Sequence, residues 1–139
     1  MHKIIKINTE KQFTDITPQV SEFVKEKGTG IVQVFSRHTT LSVRVFEAEI
    51  LLLADVGHFL EKIAPINGVY NHDNIWIRDV PKEERINGYS HIRSLLFNTI
   101  ESIPVENGKL LLGKWQTIFA IELDPIRDRE LVLTFIKSN

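Results

Sequence analysis

The order of apolar patterns along this chain predicts an α+β fold built on a largely antiparallel sheet. Helical spacing is confined to the first two-thirds, the last third reads as successive strands, and an Asn-Gly pair there marks a hairpin. The 139 residues suffice for one domain with a real core. No linker, repeat or low-complexity tract divides them, so residues 1–139 are read as a single domain.

Taken in order, Lys3 to Asn8 (KIIKIN) is an Ile-rich strand. Thr17-Pro18 opens a helix, with Thr17 as N-cap and Pro18 at its first position. Val20, Phe23 and Val24 form its apolar stripe and Gly28 stops it. Gly30 to Phe35 (GIVQVF) is nearly continuous in apolar character and reads as a strand buried on both faces. Leu41 to Phe46 alternates Leu41, Val43 and Val45 with Ser42 and Arg44, the period of a half-buried strand.

From Glu47 to Ile63 the spacing turns helical, with Leu52, Val56, Phe59, Leu60 and Ile63 on one face. Residues 64–88 read as the longest loop, and a loop of that length in a small domain is often functional. Tyr89 to Phe97 is a last helix, capped by Ser90 or Asn87. Ile103 to Val105 and Leu110 to Leu112 flank Asn107-Gly108, which suits a type I′ turn. Gln116 to Leu123 and Glu130 to Ile136 complete the strands, joined through Asp124-Pro125 and the charged RDRE.

Composition narrows the function classes. Seventeen Lys and Arg against eighteen Asp and Glu give a net charge of −1, with signs interleaved. A dedicated nucleic-acid surface would show clustered cations, so none is expected. The longest uncharged apolar stretch is far too short to span a bilayer, and the N-terminus lacks a secretory apolar segment. No membrane partner and a cytoplasmic location are the resulting expectations. Without cysteine, thiolate nucleophiles and zinc–sulfur sites are excluded. Any site must use His, carboxylate, hydroxyl, amide or guanidinium groups.

SRHTT, residues 36–40, carries more polar groups at a strand end than a turn needs. His38 is either an ordinary turn residue or a ligand or base at the mouth of the sheet. Ser36, Thr39 and Thr40 can orient the ring, or bind an anion together with Arg37. His72 in YNHDN is a turn residue or a metal ligand oriented by Asp73. His91, in GYSHIRS at a helix start, sits where Arg93 and the backbone N–H groups favour an anion. Three imidazoles meeting at one divalent ion, zinc being the natural choice, would leave an open coordination position for chemistry. Glu47 is either a helix-start carboxylate or an acid/base, and Gln116 beside Trp115 offers an amide to a ligand. His2 and His58 carry no such context.

GIVQVFSRHTTLSVRVFE, YNHD, GYSHIRSLL and SIPVENGKLLLGKWQTIFAIELD, in this order, resemble the YjbQ family of small proteins. The most specific block is Ile103-Pro104-Val105, Asn107-Gly108 and Gly113-Lys114-Trp115-Gln116. The resemblance implies a compact sandwich assembled as a homotrimer, with a His-bearing pocket near a subunit boundary. It also implies thiamine-phosphate-synthase-like activity. By position, His38, His72 and His91 match the family's histidines and Glu47 its acidic residue after the second strand. The chain departs from the pattern at Phe46, Ala48, Ile100 and Lys114, which bears on activity rather than on fold. Two functions are thus expected. One is a metal-dependent enzyme on a small phosphorylated or anionic substrate, with His38, His72 and His91 on the metal and Glu47 and Gln116 catalytic. Arg37, Thr39, Thr40 and Arg93 would hold the anion. The other is a non-catalytic trimeric protein that binds a metal or small ligand.

Overall fold

Strand alternation decides the architecture. The computed structural model describes residues 1–125 and 127–139. Within them the order is β1 (His2–Asn8), β2 (Phe13–Asp15), α1 (Thr17–Val24), β3 (Gly30–Ser36), β4 (Leu41–Glu47), α2 (Ile50–Ile63), α3 (Gly88–Ser94), β5 (Ile100–Glu106), β6 (Lys109–Leu110), β7 (Gln116–Glu122) and β8 (Asp128–Lys137). One sheet has the order β1-β8-β3-β5-β6 and the other β2-β7-β4. Every pairing between these strands is antiparallel. The expected α+β class and antiparallel sandwich are both realised.

The main core lies between the sheets. Val32, Val34, Leu131 and Leu133 from the larger sheet meet Leu41, Val43, Ile118 and Ala120 from the smaller, and Val20, Phe23 and Val24 of α1 close one end. The smaller sheet uses its outer face as well. There Phe13, Phe119, Ile121 and Leu123 pack against Leu60 of α2. Burying each such side chain contributes roughly 1.5–3 kcal/mol.

Several local expectations are corrected. β3 is buried on one face only: Val32 and Val34 are fully buried, whereas Ile31 and Phe35 remain about two-fifths exposed (43% and 41%). An edge-to-edge apolar run had hidden the alternation. Thr17 is not the N-cap of α1, which Ile16 occupies without a side-chain bond. Its hydroxyl instead accepts the Ile118 N–H at 2.9 Å, tying the helix to β7. Helix α2 starts at Ile50 rather than Glu47, because Glu49 caps it, accepting the Leu51 and Leu52 N–H groups. Asn87 does occupy the N-cap position of α3, but its side chain donates to Asp124 instead of making a cap bond, and Ser90 lies within the helix, donating to the Leu123 carbonyl. β2 is too short for its alternation to be read. The hairpin is as expected, with both Asn107 (φ 49°) and Gly108 (φ 76°) left-handed. No helix among the described residues is long and apolar enough to cross a membrane.

The sheets are joined by charge as well as by packing. Arg129 of β8 and Glu122 of β7 are both buried, 3% and 4% exposed, and bind one another through two guanidinium nitrogens. Thr9 donates to the same carboxylate at 2.6 Å, and Arg129 donates on to the Thr40 hydroxyl at 2.9 Å. Removing one partner strands the other without water. Arg129→Met or Glu122→Gln should therefore lower unfolding free energy by about 3–5 kcal/mol in urea titrations. The paired apolar replacement Arg129→Met with Glu122→Leu should recover much of that loss.

Candidate functional site

SRHTT is held from three sides. The Ser36 hydroxyl donates to the Leu41 carbonyl at 2.7 Å and accepts the His38 N–H at 3.3 Å, closing the turn on itself. Thr40 is buried and fixed by Arg129. His38 Nε2 accepts the Glu130 backbone N–H at 3.0 Å, so the neutral ring carries its proton on Nδ1.

The long loop supplies the second wall. Asn71–Asp73 is a single 3-10 turn, and Tyr70 anchors it by donating to the Pro65 carbonyl at 2.7 Å. Arg78 donates to the His72 carbonyl at 2.8 Å. Asp73 accepts the Gly88 N–H at 2.7 Å, which clamps the loop to the start of α3. The clamp brings His72 and His91 together: their ring centroids lie 4.6 Å apart, near-perpendicular at 64°.

Both walls face one cavity of about 440 Å³. His38, His72 and His91 all line it, as do Arg37, Thr39 and Thr40. Six residues from three separate segments of the sequence are thus brought to one place. Three others named from the sequence are not there. Arg93 is buried and spent, donating to the Ala64 carbonyl at 2.8 Å and to Glu61 at 2.6 Å, so it ties α3 to the end of α2. Glu47 and Gln116 pair with one another at the opposite end of β4 and β7. Six residue steps along β4 separate Glu47 from the SRHTT corner, on the order of 20 Å of strand. Within one chain they are not part of the cavity.

Sequence reasoning missed most of the charge. Arg78, Arg85, Arg127 and Arg129 also line the cavity, giving with Arg37 five arginines against Glu84 as the one acid among the described residues. Asp124 stands behind, almost fully buried, and accepts from Arg127 at 2.7 Å, Asn87 at 2.9 Å and Arg85 at 3.2 Å. Two polar atoms of this wall stay buried without a partner among the described residues, Arg127 Nε and Asn87 Oδ1. The signals were present as charged loops, DVPKEERING and RDRE, but their spacing shows no convergence.

A metal does not fit this arrangement. Among the described residues no three His, Asp or Glu side chains group closely enough to hold an ion. His38 has given its Nε2 lone pair to Glu130, and the surrounding guanidinium groups oppose a further cation. What the cavity offers is fork-shaped donors, hydroxyls and imidazoles, the groups that receive oxyanions.

Comparison with known proteins agrees on what the chain resembles. The family described as UPF0047 protein YjbQ-like matches residues 3–138. A UPF0047 protein of Methanothermobacter thermautotrophicus is 35% identical over 129 residues, covering 91% of this chain and 84% of that protein. One from Archaeoglobus fulgidus is 33% identical over 96% of this chain and 98% of its own length. Among solved structures, a hypothetical protein of Aeropyrum pernix superposes with a TM-score of 0.86 at 28% identity, covering 99% of both chains. An uncharacterised conserved protein of the same family from Clostridium acetobutylicum gives 0.80 at 32% identity, covering 98% and 99%. These names state no substrate or activity.

Burial lowers the pKa of His91 below 6.5, and the neighbouring charges of His72 and Arg78 push the same way. Burial, then Arg129, lowers that of His38. Each ring therefore takes up its proton less readily folded than unfolded. As pH falls below 6.5 the unfolded chain binds more protons, so stability should drop with pH there and level off above it. Melting temperatures from pH 7.5 to 5 should show this slope, and His91→Gln should flatten it. An unchanged slope in that variant would contradict the assignment.

Proposed function

The chain belongs to the YjbQ-like UPF0047 family, and we propose that it is an enzyme acting on a small phosphorylated substrate in the arginine-rich cavity. The observation that carries this reading is Arg127. Its guanidinium is anchored by Asp124, yet its Nε stays buried without a partner among arginines that outnumber the acids of the same wall. A phosphate or diphosphate oxygen in the cavity is matched by the guanidinium of Arg127, and the Arg78 and Arg85 side chains add charge around it. Arg37, exposed at the rim, is suited to first capture.

The chemistry follows from the imidazoles. His91, kept neutral by burial and by His72, accepts a proton from the substrate, and His72 at 4.6 Å is placed to share it. The arginines hold the charge that develops on phosphate oxygens, so they stabilise a phosphoryl or diphosphate group as it is transferred or released. Thiamine-phosphate-synthase-like chemistry, which uses phosphate and diphosphate esters, is one case of this class. No metal enters the reading, which rests on the arginines, hydroxyls and imidazoles of the described residues.

Calorimetry with pyrophosphate tests the binding half. Arg127→Met should weaken binding by roughly tenfold or more, whereas His91→Gln should leave it nearly unchanged. In a screen of phosphorylated thiamine precursors, His91→Gln should cost roughly 10²–10⁴ in kcat. Pyrophosphate that fails to bind, or binds Arg127→Met equally well, would remove the proposal. Binding without turnover would instead favour a non-catalytic ligand-binding protein.

Self-association belongs to the same reading. Trp76 (78% exposed) and Ile77 (81%) flank the His72 turn, Trp115 lies beside Gln116, and Ile50 and Leu51 stand free on α2. Apolar surface on this scale marks protein contact, and a homotrimer is the assembly the resemblance implies. Sedimentation should give a mass three times the 16.0 kDa chain, and Leu51→Glu or Trp76→Arg should dissociate it. A monomer at micromolar concentration would rule the assembly out.

A further inference from the structure

A second cavity has no part in the phosphate chemistry. It lies between α2 and the outer face of the smaller sheet, with a volume of about 240 Å³. Four phenylalanines line it, Phe13 from β2, Phe46 from β4, Phe59 from α2 and Phe97 just beyond α3. The volume is below the ~300 Å³ at which pockets for drug-sized ligands begin, so it suits about one ring and a short tail.

One charge stands in this apolar lining. Arg44 shares its face of β4 with Phe46, two residues on, and lines the same cavity. It makes no ion pair or hydrogen bond among the described residues, and two nearby acids accept bonds from other groups. Asp15, in the same cross-strand row through Phe119, accepts the Thr17 N–H at 2.8 Å. Glu101 accepts from Asn98 at 2.8 Å and from the Val45 N–H. Below them, Ser42 sits opposite Ile121 with a buried hydroxyl that has no partner among the described residues.

We propose that this cavity binds a small aromatic monocarboxylate, its ring among the four phenylalanines and its carboxylate on Arg44. Ring-to-ring packing favours an aromatic body in offset or edge contact. The guanidinium, exposed at the mouth of the apolar cavity, supplies a two-pronged match for one carboxylate. Phosphate is disfavoured here, because a single cation in an apolar wall cannot replace the hydration of a doubly charged group. An amine is repelled by Arg44.

The probes are 3-phenylpropionate and its uncharged primary amide, titrated by calorimetry into the full chain. The acid should bind saturably with one site per chain, and the amide roughly tenfold more weakly. Arg44→Met keeps the apolar stem and removes the charge. It should abolish the preference for the acid while leaving the melting temperature near that of the parent, since Arg44 is exposed. His72→Ala with His91→Ala should leave acid binding intact, which separates this cavity from the phosphate site. Equal affinity for acid and amide, or an unchanged preference in Arg44→Met, overturns the proposal. So does the absence of saturable binding, including the case where a second copy of the chain covers the cavity.

Discussion

The rest of the molecule depends on the buried pair of Arg129 and Glu122. It is a buried ion pair between the two sheets, and each of its outer contacts reaches a different part of the chain. Thr9 ties in the segment after β1, and Thr40 ties in the corner before β4. The next backbone N–H, that of Glu130, then fixes the His38 ring. A buried pair of this kind adds little net stability over apolar packing, but its geometry admits few alternatives. Here it sets the position of the SRHTT corner, and with it one wall of the cavity.

The second wall is positioned by another buried acid. Asp124 gathers Arg85, Asn87 and Arg127, so the long loop and the turn after β7 are held by a single carboxylate. That arrangement explains why a segment with so little regular structure is nonetheless ordered around the site. Its backbone groups are satisfied by Asp73, Arg78 and Tyr70 rather than by a sheet.

Much of the fold was legible because apolar periodicity is a local property. β1, β4 and the hairpin at Asn107-Gly108 follow directly from residues a few positions apart. Burial of β3 on one face was not legible, because Ile31 and Phe35 are apolar yet lie outward. The histidines of the site were legible as unusual residues in polar company, and the YjbQ-like blocks grouped them. Arg127 and Arg129 were not, because RDRE reads as a solvated turn until the sheet order shows β8 beside β3 and Ser36 opposite Leu131. Glu47 and Gln116 show the reverse error, since their motifs suggested a place in the pocket that one chain's topology denies them.

The position of β8 also has a consequence for folding. Strand β8 lies between β1 and β3 in the larger sheet, and His38 is fixed by a backbone group 92 residues further on. Until that strand inserts, β1 has no partner among the described strands and the cavity has only part of its wall. Both wait on contacts of high sequence separation, whose loop-closure cost comes before their reward. Completion of the cavity therefore reports completion of the larger sheet.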